Sequence, residues 1–499
     1  MPSFILFGLF GGRELLVLFL LTTVLVPLAY CAYNLWWHPL ARFPGPKRAA
    51  VSPFWAMWHW LSGENLNKLC DLHNQYGSVV RIAPNQLSFC SSSSWKDVHG
   101  HKPGRKPFLK GPWYRPFPQD HYNIVSVSNP GHHALMRKSL SHGFSSGALI
   151  AQEDRLQYFV NKFVDQIDLR FTHTAGDMTK WYNYVTFDAI GELAFGEPFG
   201  CVESGEPHFW IDILFAGIKN FNLLRSFEYF PLLKSGVLLL LRWGLLPSSV
   251  TEPRRKQTIY AREKLIKRLT RTSRSTDFLE KTIADMEKNG TSFDDLLSQA
   301  TLLTVAGSET TATALAGITY FLCKDPFAYE KLRNEIRGAF FDYGEITGLA
   351  TEKLPYLRAV ILEGLRMYPP LAAGLPRISP GETIDGQYVP EGAIVSVNTW
   401  AAGHVDANFR EPFKFNPERW LDPDCKDDLA ASQPFLLGSR VCLGRHLAML
   451  EMRLILSKLL WKFDMTLMDK DLDWGRANKN YVFWDKPELP IQFHRRDGL

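Results

Sequence analysis

Residues 435–444 contain the combination of side chains best suited to binding a metal cofactor, a cysteine flanked by glycines and an arginine. A thiolate ligand needs a tight backbone turn around the cysteine, with backbone N–H groups directed at its sulfur. Gly438 and Gly444 permit that turn and the close approach of a flat cofactor, while Arg440 offers a cation for the cofactor's carboxylates. The helical run that follows would place a helix N-terminus, which stabilises negative charge, beside Cys442. Cys442 is therefore a candidate metal ligand, whereas an isolated cysteine is by default structural.

Glu309 lies among small and hydroxyl-bearing residues in the middle of a long predicted helix, where residues 306–311 read Ala-Gly-Ser-Glu-Thr-Thr. Such residues lower the stability of a helix interior unless a function requires them. They allow local widening or kinking of the helix, room for dioxygen and a path for protons. Ser292 and Asp295 have the spacing of a capping box at the start of this helix. In isolation, a segment of this kind is more often part of a helix surface than of a catalytic site.

Several charged residues outside these two segments are candidates for ionic contacts. Glu363 and Arg366 lie three positions apart, on one face of a predicted helix, where they can pair. Most pairs of this kind lie at the surface and contribute roughly a few tenths of a kcal/mol. His133 and Arg137 also share a helical face, and Arg377 stands just before the predicted sheet. The alternative to an ionic contact for these basic residues is a solvated position at the protein surface.

The elements that must position these residues are mostly helices. Two β-rich runs, 78–89 and 383–398, interrupt the helical pattern, and the second contains a turn at 388–392. The chain shows no alternation of strands and helices and no G-x-G-x-x-G after a strand, which argues against a doubly wound dinucleotide-binding fold. The sequence thus predicts a mainly α (α+β) fold with a helical body and a small β-sheet region. Apolar residues recur at helical spacing in residues 133–142, 151–170, 255–288, 292–323 and 327–340.

Residues 143–147 read Gly-Phe-Ser-Ser-Gly and match the G-x-S-x-G pattern of serine hydrolases. That pattern requires a strand directly before the serine. Because residues 134–142 read as a helix, Ser145 is not predicted to be a nucleophile, and a serine hydrolase stays only as a third hypothesis.

Composition excludes further classes of protein. The chain has 56 basic and 51 acidic residues, and the net charge of +5 is too small to indicate nucleic acid as a partner. Its seven cysteines are widely spaced and form no C-x-x-C pair, which argues against a disulfide framework or a zinc site. A reducing compartment is the better interpretation.

The N-terminal region predicts a membrane anchor, because residues 15–37 carry no charged side chain. At about 1.5 Å per residue, this stretch can cross a hydrocarbon core of about 30 Å, and a buried hairpin is the alternative. Arg42, Lys47 and Arg48 follow it, which places the rest of the chain in the cytosol. We expect a single-pass protein of the endoplasmic reticulum membrane. Its predicted segments are a short lumenal N-terminus (1–14), a transmembrane anchor (15–37), a proline-rich linker (38–50) and a catalytic domain (51–499).

A second apolar segment, Gly236–Leu246, is too short to span a bilayer and contains Arg242. It is equally compatible with a helix that dips into the membrane interface near a substrate entrance and with an ordinary buried helix.

These motifs together resemble the cytochrome P450 family. Residues 306–311 are similar to its A/G-G-x-D/E-T-T/S motif, and Pro-Glu-Arg-Trp at 417–420 is similar to its P-E-R-F segment, with Trp420 as a mild departure. The motifs occur in family order, and the resemblance extends from Trp37 to the C-terminus. The family signature F-x-x-G-x-R-x-C-x-G is matched at Phe435, Gly438, Arg440, Cys442 and Gly444.

The resemblance implies the cytochrome P450 fold and the cofactor haem b, with Cys442 as the axial ligand of its iron. A thiolate ligand favours cleavage of the O–O bond. Glu309 and Thr310 would form an acid–alcohol pair that delivers protons during oxygen activation. The implied structural triad behind the haem consists of Glu363, Arg366 and Arg419. The other implied haem contacts are Arg440, Arg137, Arg377, His133, Phe435, Gly438 and Gly444.

The function implied is that of a haem-thiolate monooxygenase that hydroxylates or epoxidises an apolar small molecule. The chain resembles in particular fungal members that modify polyketides, terpenoids or alkaloids, such as the trichothecene C-15 hydroxylase-like branch. Electrons would come from a separate NADPH-cytochrome P450 reductase, with cytochrome b5 as a further partner, at a surface in contact with membrane lipid. The alternative is a haem-thiolate isomerase, a peroxide-dependent enzyme or a haem sensor that does not activate dioxygen.

Overall fold

The computed structural model describes residues 12–114, 121–213, 223, 226–243, 245, 248–270, 277–284 and 290–497. Its body is mainly helical with small sheets, which confirms the predicted fold class. The helices are α1 (Gly12–Ala32), α2 (Lys47–Val51), α3 (Phe54–Ser62), α4 (Asn65–Tyr76), α5 (Ser92–His99), α6 (Pro130–Ser141), α7 (Ser146–Ala151), α8 (Glu153–Phe171), α9 (Met178–Phe195), α10 (Cys201–Ser204), α11 (Pro231–Arg242), α12 (Ser248–Thr270), α13 (Glu280–Ala284), α14 (Phe293–Lys324), α15 (Pro326–Ala339), α16 (Gly348–Thr351), α17 (Pro355–Met367), α18 (Thr399–His404), α19 (Arg445–Lys462) and α20 (Trp474–Ala477).

The N-terminal helix α1 contains Pro27 and continues into a π-helical turn at Tyr33–Trp37. Among the residues that the structure describes, no helix is both long and apolar enough to cross a membrane. Residues 1–11, which form most of the predicted lumenal segment, lie outside the described residues, as do the side chains of 14–18 and Leu20 in the predicted anchor. The transmembrane anchor is therefore not confirmed and stays a prediction.

The strands form four small sheets. One has four strands in the order β1-β2-β7-β4, another has three in the order β3-β11-β8, and two are pairs, β5-β6 and β9-β10. In the four-stranded sheet, β2 pairs in parallel with β7, and β4 pairs antiparallel with β7, with Arg377 opposite Val395. The strands are β1 (Val79–Ala83), β2 (Gln86–Phe89), β3 (Gly176–Asp177), β4 (Arg377–Ile378), β5 (Glu382–Ile384), β6 (Gln387–Val389), β7 (Ile394–Val397), β8 (Phe463–Leu467), β9 (Lys479–Asn480), β10 (Trp484–Asp485) and β11 (Pro490–Arg495).

Helix α14 runs through the main core and packs against α9, α17 and α19. The predicted capping box starts it, because the side chain of Ser292 accepts from the backbone of Asp295, and the side chain of Asp295 accepts from the backbone of Ser292. The next helix, α15, has Asp325 as its N-cap and Pro326 at its first position, where proline is well tolerated. These local signals explain why the bounds of α14 and the start of α15 agree closely with the helices predicted over 292–323 and 327–340.

Three of the predicted elements differ from the structure. Within the helix predicted over 255–288, residues 277–279 are not helical, and the buried Asp277, which accepts from the backbone N–H of Leu279, precedes α13. Residues 271–276 and 285–288 of this prediction lie outside the described residues. The β-rich run 78–89 is a hairpin of two strands. The turn predicted at 388–392 is shorter, since Tyr388 and Val389 belong to β6.

Ser145 is the N-cap of α7, and its hydroxyl accepts from the backbone N–H of Ala148. A helix, α6, precedes it, as the sequence predicts. The strand that a hydrolase nucleophile requires is thus replaced by helix, which leaves the serine hydrolase hypothesis without structural support.

Candidate active site

A cavity of about 300 Å³ lies between α14, the loop before α19, and the chain around β4. It is lined by apolar side chains from α14 and from the segment 365–375, and by the candidate ligand Cys442. Four of the predicted basic residues, His133, Arg137, Arg377 and Arg440, also line it. Residues that are more than 300 positions apart in the sequence are therefore brought to one site.

The backbone before Cys442 forms the tight turn that the sequence predicts. A 3₁₀ turn spans Gly438–Arg440, and the N–H of Cys442 donates to the carbonyl of Phe435 at 2.8 Å. Gly438 has a φ of +71°, and a Cβ there would lie 2.0 Å from the carbonyl oxygen of His99, so no larger residue fits. At Gly444 a Cβ would meet no atom within 4 Å, which leaves open space beside the cysteine.

The thiol of Cys442 is open to the cavity. Its surroundings raise the pKa of Cys442 through desolvation, and three groups act in the opposite direction. These are the backbone N–H of Gly444 and the positive charges of Arg137 and Arg445. These three groups act in favour of the thiolate, but desolvation outweighs them, and the pKa of Cys442 lies above its ordinary value.

The guanidinium groups in the cavity are held mainly by backbone carbonyls. Arg440 donates to the carbonyls of Val127 and Ser128 at 3.1 and 3.0 Å, and Arg137 donates to that of Val441 at 2.7 Å. Backbone carbonyls orient a guanidinium but leave its positive charge uncompensated. Burial and the charge of Arg377 lower the pKa of Arg440 to about 10.

Lys110 is a further cavity cation that the sequence analysis missed. It is buried, and its Nζ donates to the carbonyls of Ile124 and Val125 at 3.1 and 2.6 Å. Burial, followed by the charges of Arg440 and Arg377, lowers the pKa of Lys110 to about 6. Lys110 stands in a long segment without periodicity or a motif, so no sequence signal distinguishes it from a surface lysine.

The charge distribution of the cavity calls for an anionic ligand. Among the described residues that line it, Glu451 is the one acidic side chain, against the basic side chains Lys110, Arg137, Arg377 and Arg440. Burial, together with these cations, also lowers the pKa of His133 to about 4. A cluster of buried cations is unfavourable unless a negative charge is bound among them. The two propionates of haem b, with its iron next to Cys442, match this requirement, so the residues fit the cofactor.

The structure places the two candidate residues of α14 differently. Thr310 lines the cavity, and its hydroxyl donates to the carbonyl of Ala306 at 2.6 Å. Glu309 is not among the lining residues. Its Oε1 accepts from the hydroxyl of Thr313 at 2.9 Å and from Nζ of Lys486 in a buried ion pair. In this arrangement Glu309 faces the C-terminal segment of the chain and Thr310 faces the cavity.

The three residues of the predicted triad are in direct contact and buried. Arg366 donates to both carboxylate oxygens of Glu363 at 2.9 and 2.8 Å, and Nε of Arg419 donates to Oε1 at 3.1 Å. The backbone of Asn416 and the indole N–H of Trp420 also donate to this carboxylate, each at 2.9 Å. The replacement of phenylalanine by Trp420 therefore adds a donor to the network.

A cysteine thiol at a glycine-bounded turn, facing a cavity with cations for two propionates, defines a haem-thiolate protein. Phe435, Gly438 and Gly444 shape the turn, and the mainly helical fold surrounds it. The comparison with known families agrees with this class. The chain belongs to the cytochrome P450 family, because the family model described as "Cytochrome P450" matches residues 45–492.

Curated relatives extend over nearly the whole chain. Cytochrome P450 monooxygenase ORF9 of Penicillium roqueforti is 40% identical over 93% of this chain and 91% of its own length. Cytochrome P450 monooxygenase BOT4 of Botryotinia fuckeliana is 40% identical over 94% of this chain and 89% of its own length. Cytochrome P450 monooxygenase atr2 of Stereocaulon alpinum is 38% identical over 98% of this chain and 97% of its own length. The protein is thus a monooxygenase of a family that binds haem b through a cysteine thiolate.

Proposed function

We propose that the protein hydroxylates or epoxidises an apolar small molecule, using dioxygen and electrons that a separate NADPH-cytochrome P450 reductase supplies. The observation that carries the proposal is the position of Cys442, whose thiol faces a cavity lined by basic and by apolar residues. The organisms of the relatives, all fungi, support a substrate from fungal secondary metabolism, such as a polyketide, terpenoid or alkaloid intermediate. Cytochrome b5 is a further proposed electron donor.

The proposed substrate class follows from the lining of the cavity. Leucines and prolines are prominent in this lining, and the described part of the chain contributes no acidic side chain to it other than Glu451. An apolar ligand is favoured there because it removes apolar surface from water, whereas a charged group without a partner would be desolvated at a large cost. The apolar residues that this argument uses are Leu302, Leu303, Pro370, Leu371 and Leu375.

The chain's own residues would hold the cofactor. Cys442 would ligate the haem iron, and Arg440, Arg137, Arg377, Lys110 and His133 would bind the propionates. When bound, haem supplies a thiolate-ligated iron at which dioxygen is reduced and its O–O bond is split. The buried network around Glu363 fixes residues 416–420 against α17. Thr310 presents a hydroxyl at the cavity, where it can pass protons.

We place the protein at the membrane of the endoplasmic reticulum, with its catalytic domain in the cytosol. Large aromatic side chains are exposed on neighbouring segments, with Trp37 70% and Trp58 71% accessible. The rings of Phe54 in α3 and Phe230 beside α11 lie 4.7 Å apart, so these two apolar segments are in contact. Trp243, directly after α11, is also exposed. Aromatic residues of this kind are enriched at the level of lipid headgroups. This surface favours contact of 236–246 with lipid over a buried helix, although residues 244 and 246 lie outside the described residues.

The experiment that tests the proposal is a reduced carbon-monoxide difference spectrum of membranes that carry the protein, recorded beside Cys442→Ala. We expect a strongly red-shifted Soret band that the substitution removes, because only a thiolate ligand produces that shift. The same membranes, supplied with NADPH, reductase and candidate apolar substrates, should consume dioxygen and form a product that contains one of its oxygen atoms. A folded protein without the red-shifted band would contradict the assignment of Cys442.

Product formation then separates the monooxygenase from a haem enzyme that does not activate dioxygen. Thr310→Ala should reduce the share of NADPH electrons that appear in product and increase release of peroxide, while Thr310→Ser should retain most of the product. Turnover of Thr310→Ala at the wild-type rate and coupling would favour an isomerase or a peroxide-dependent enzyme.

A further inference from the structure

Residues 122–126 contribute to the wall of the cavity without belonging to a helix or a strand, and Ile124 and Val125 are among the residues that line it. A segment of this kind has no ladder of its own for its backbone N–H and carbonyl groups. Side chains must therefore pair with these groups if the segment is to be held in one position. The partners of the segment thus show what fixes this part of the wall.

The first two turns of α14 hold one side of the segment. Their side chains accept one hydrogen bond from each of three consecutive residues. These bonds join the N–H of Tyr122 to Asp295 at 2.8 Å, the side-chain amide of Asn123 to Ser298 at 3.1 Å and the N–H of Ile124 to Gln299 at 3.0 Å. Positions 295, 298 and 299 share one face of the helix, because residues three and four apart are neighbours.

Further contacts pair the rest of the segment. Nζ of Lys110 donates to the carbonyls of Ile124 and Val125 at 3.1 and 2.6 Å. The N–H of Asn123 donates to the hydroxyl of Ser126 at 3.0 Å, and the N–H groups of Val125 and Ser126 donate to the side chain of Asn123 at 3.1 and 2.9 Å. Each backbone N–H of the segment thus has a side-chain acceptor, so Ile124 and Val125 are held firmly in the wall.

Gln299 is the partner that stability explains least. It is 5% exposed, and although its Oε1 accepts from Ile124, its Nε2 is buried without a hydrogen-bond partner among the described residues. A buried donor without an acceptor costs free energy. A leucine at this position would avoid that cost but would leave the N–H of Ile124 unpaired. Leu303 and Ala306, four and seven residues further along the same helical face, line the cavity. Gln299 therefore continues the cavity-lining face of α14 by one turn, and its oxygen holds the wall.

We propose that Gln299 is a positioning residue for ligand selection, because its hydrogen bond to Ile124 fixes the side chains of Ile124 and Val125 in the cavity wall. The inference rests on the proposed function, in which the cavity receives an apolar substrate beside the cofactor. Isoleucine and valine are β-branched and have little freedom about χ1, so a fixed backbone gives the wall a fixed shape. Without this hydrogen bond the wall yields, and ligands that extend along it are held less tightly.

The test uses imidazole and phenylimidazole, two probes that bind haem iron through nitrogen, shift the Soret band and need no turnover. Imidazole occupies little more than the position next to the iron, whereas the phenyl ring of the larger probe extends into the cavity. In the haem-loaded protein, Gln299→Leu should weaken the binding of phenylimidazole about tenfold, mainly through faster dissociation, because the wall loses one hydrogen bond. Binding of imidazole should be unchanged. Gln299→Glu, which keeps an acceptor oxygen, should restore most of the affinity for phenylimidazole.

Gln157→Leu is the matched control. Gln157 lies in α8 and donates to the carbonyl of Ile346 at 3.0 Å, and it is not among the described residues that line the cavity. Its replacement removes a contact of the same kind from another loop and should leave the binding of both probes unchanged. Ser298→Ala removes the acceptor of Asn123 and should weaken phenylimidazole as selectively as Gln299→Leu does, so it decides the question if Gln299→Leu does not fold.

Wild-type affinity of Gln299→Leu for phenylimidazole would overturn the inference. Equal losses for both probes would also overturn it, because they would place the effect at the haem rather than at the wall, and so would a failure of Gln299→Glu to restore binding. Wild-type protein that lacks the red-shifted carbon-monoxide band would instead refute the proposed function, so the two failures are distinct.

Discussion

The carboxylate of Glu363 provides the sharpest test of how residues 416–420 are held against α17. It is fully buried and accepts five hydrogen bonds, two from Arg366 and one each from Arg419, the backbone of Asn416 and the indole of Trp420. Glu363→Gln keeps the volume of the side chain but removes its charge, which leaves the buried guanidinium group of Arg366 without a carboxylate partner, while Arg419 keeps its ion pair with Asp427. Breaking a buried ion pair in this way costs about 3–5 kcal/mol.

The measurement is the free energy of unfolding from denaturant titrations of the haem-loaded protein, followed by tryptophan fluorescence. Glu411→Gln is the matched control, because Glu411 forms an exposed pair with Lys414 at 3.3 Å, and such a pair contributes less than about 1 kcal/mol. We expect a large loss in the first variant and almost none in the second. Equal losses would refute the view that the Glu363 network is a structural centre rather than one ion pair among many.

The pH dependence of stability follows from the same network. Burial opposes ionisation of Glu363, but Arg366 and Arg419 outweigh it, and the pKa of Glu363 lies below its ordinary value of 4.5. The folded protein therefore holds the carboxylate more tightly than the unfolded chain does. This contribution is fully present above about pH 4.5 and is lost as the pH falls through the lowered pKa. Glu363→Gln should accordingly remove part of the acid sensitivity of the wild type.

Two further predictions concern the cavity itself. In the haem-free protein, Lys110 has a pKa of about 6 against an ordinary value of 10.5. The unfolded state therefore binds more protons between these pH values, and the free energy of unfolding should rise with pH. Lys110→Met should flatten this slope in pH-dependent unfolding and weaken haem retention, and an unchanged slope would show that Lys110 is not buried. Gly438→Ala should abolish most haem incorporation, because its Cβ would lie 2.0 Å from the carbonyl oxygen of His99 in a backbone with a φ of +71°. The measurement is the haem-to-protein ratio. Gly147→Ala is the control, since a Cβ at that position meets nothing within 4 Å. Normal haem content in Gly438→Ala would contradict the geometry of the turn.

Local signals in the sequence predicted the cysteine turn and the start of α14 well. A capping box, a proline at a first helical position and a glycine with positive φ act over a few residues, so they can be recognised without knowledge of the fold. The boundaries of α14 at Phe293 and Lys324 lie within a residue of the predicted range 292–323. By contrast, the interruption at residues 277–279 depends on the burial of Asp277 beside Arg268, a contact that helical periodicity does not record.

The acid residues of the site show where sequence reasoning ends. Successive residues of a helix are rotated by about 100°, so Glu309 and Thr311 flank Thr310 on opposite sides. The cavity includes Thr310 and Thr311 but stops short of Glu309, which is drawn to Lys486, a residue 177 positions away. Glu451 likewise reaches the site only because α19 packs against α14. Adjacency in the chain identifies Glu309, whereas the position of Glu451 at the cavity follows only from the packing of two helices that are distant in the sequence.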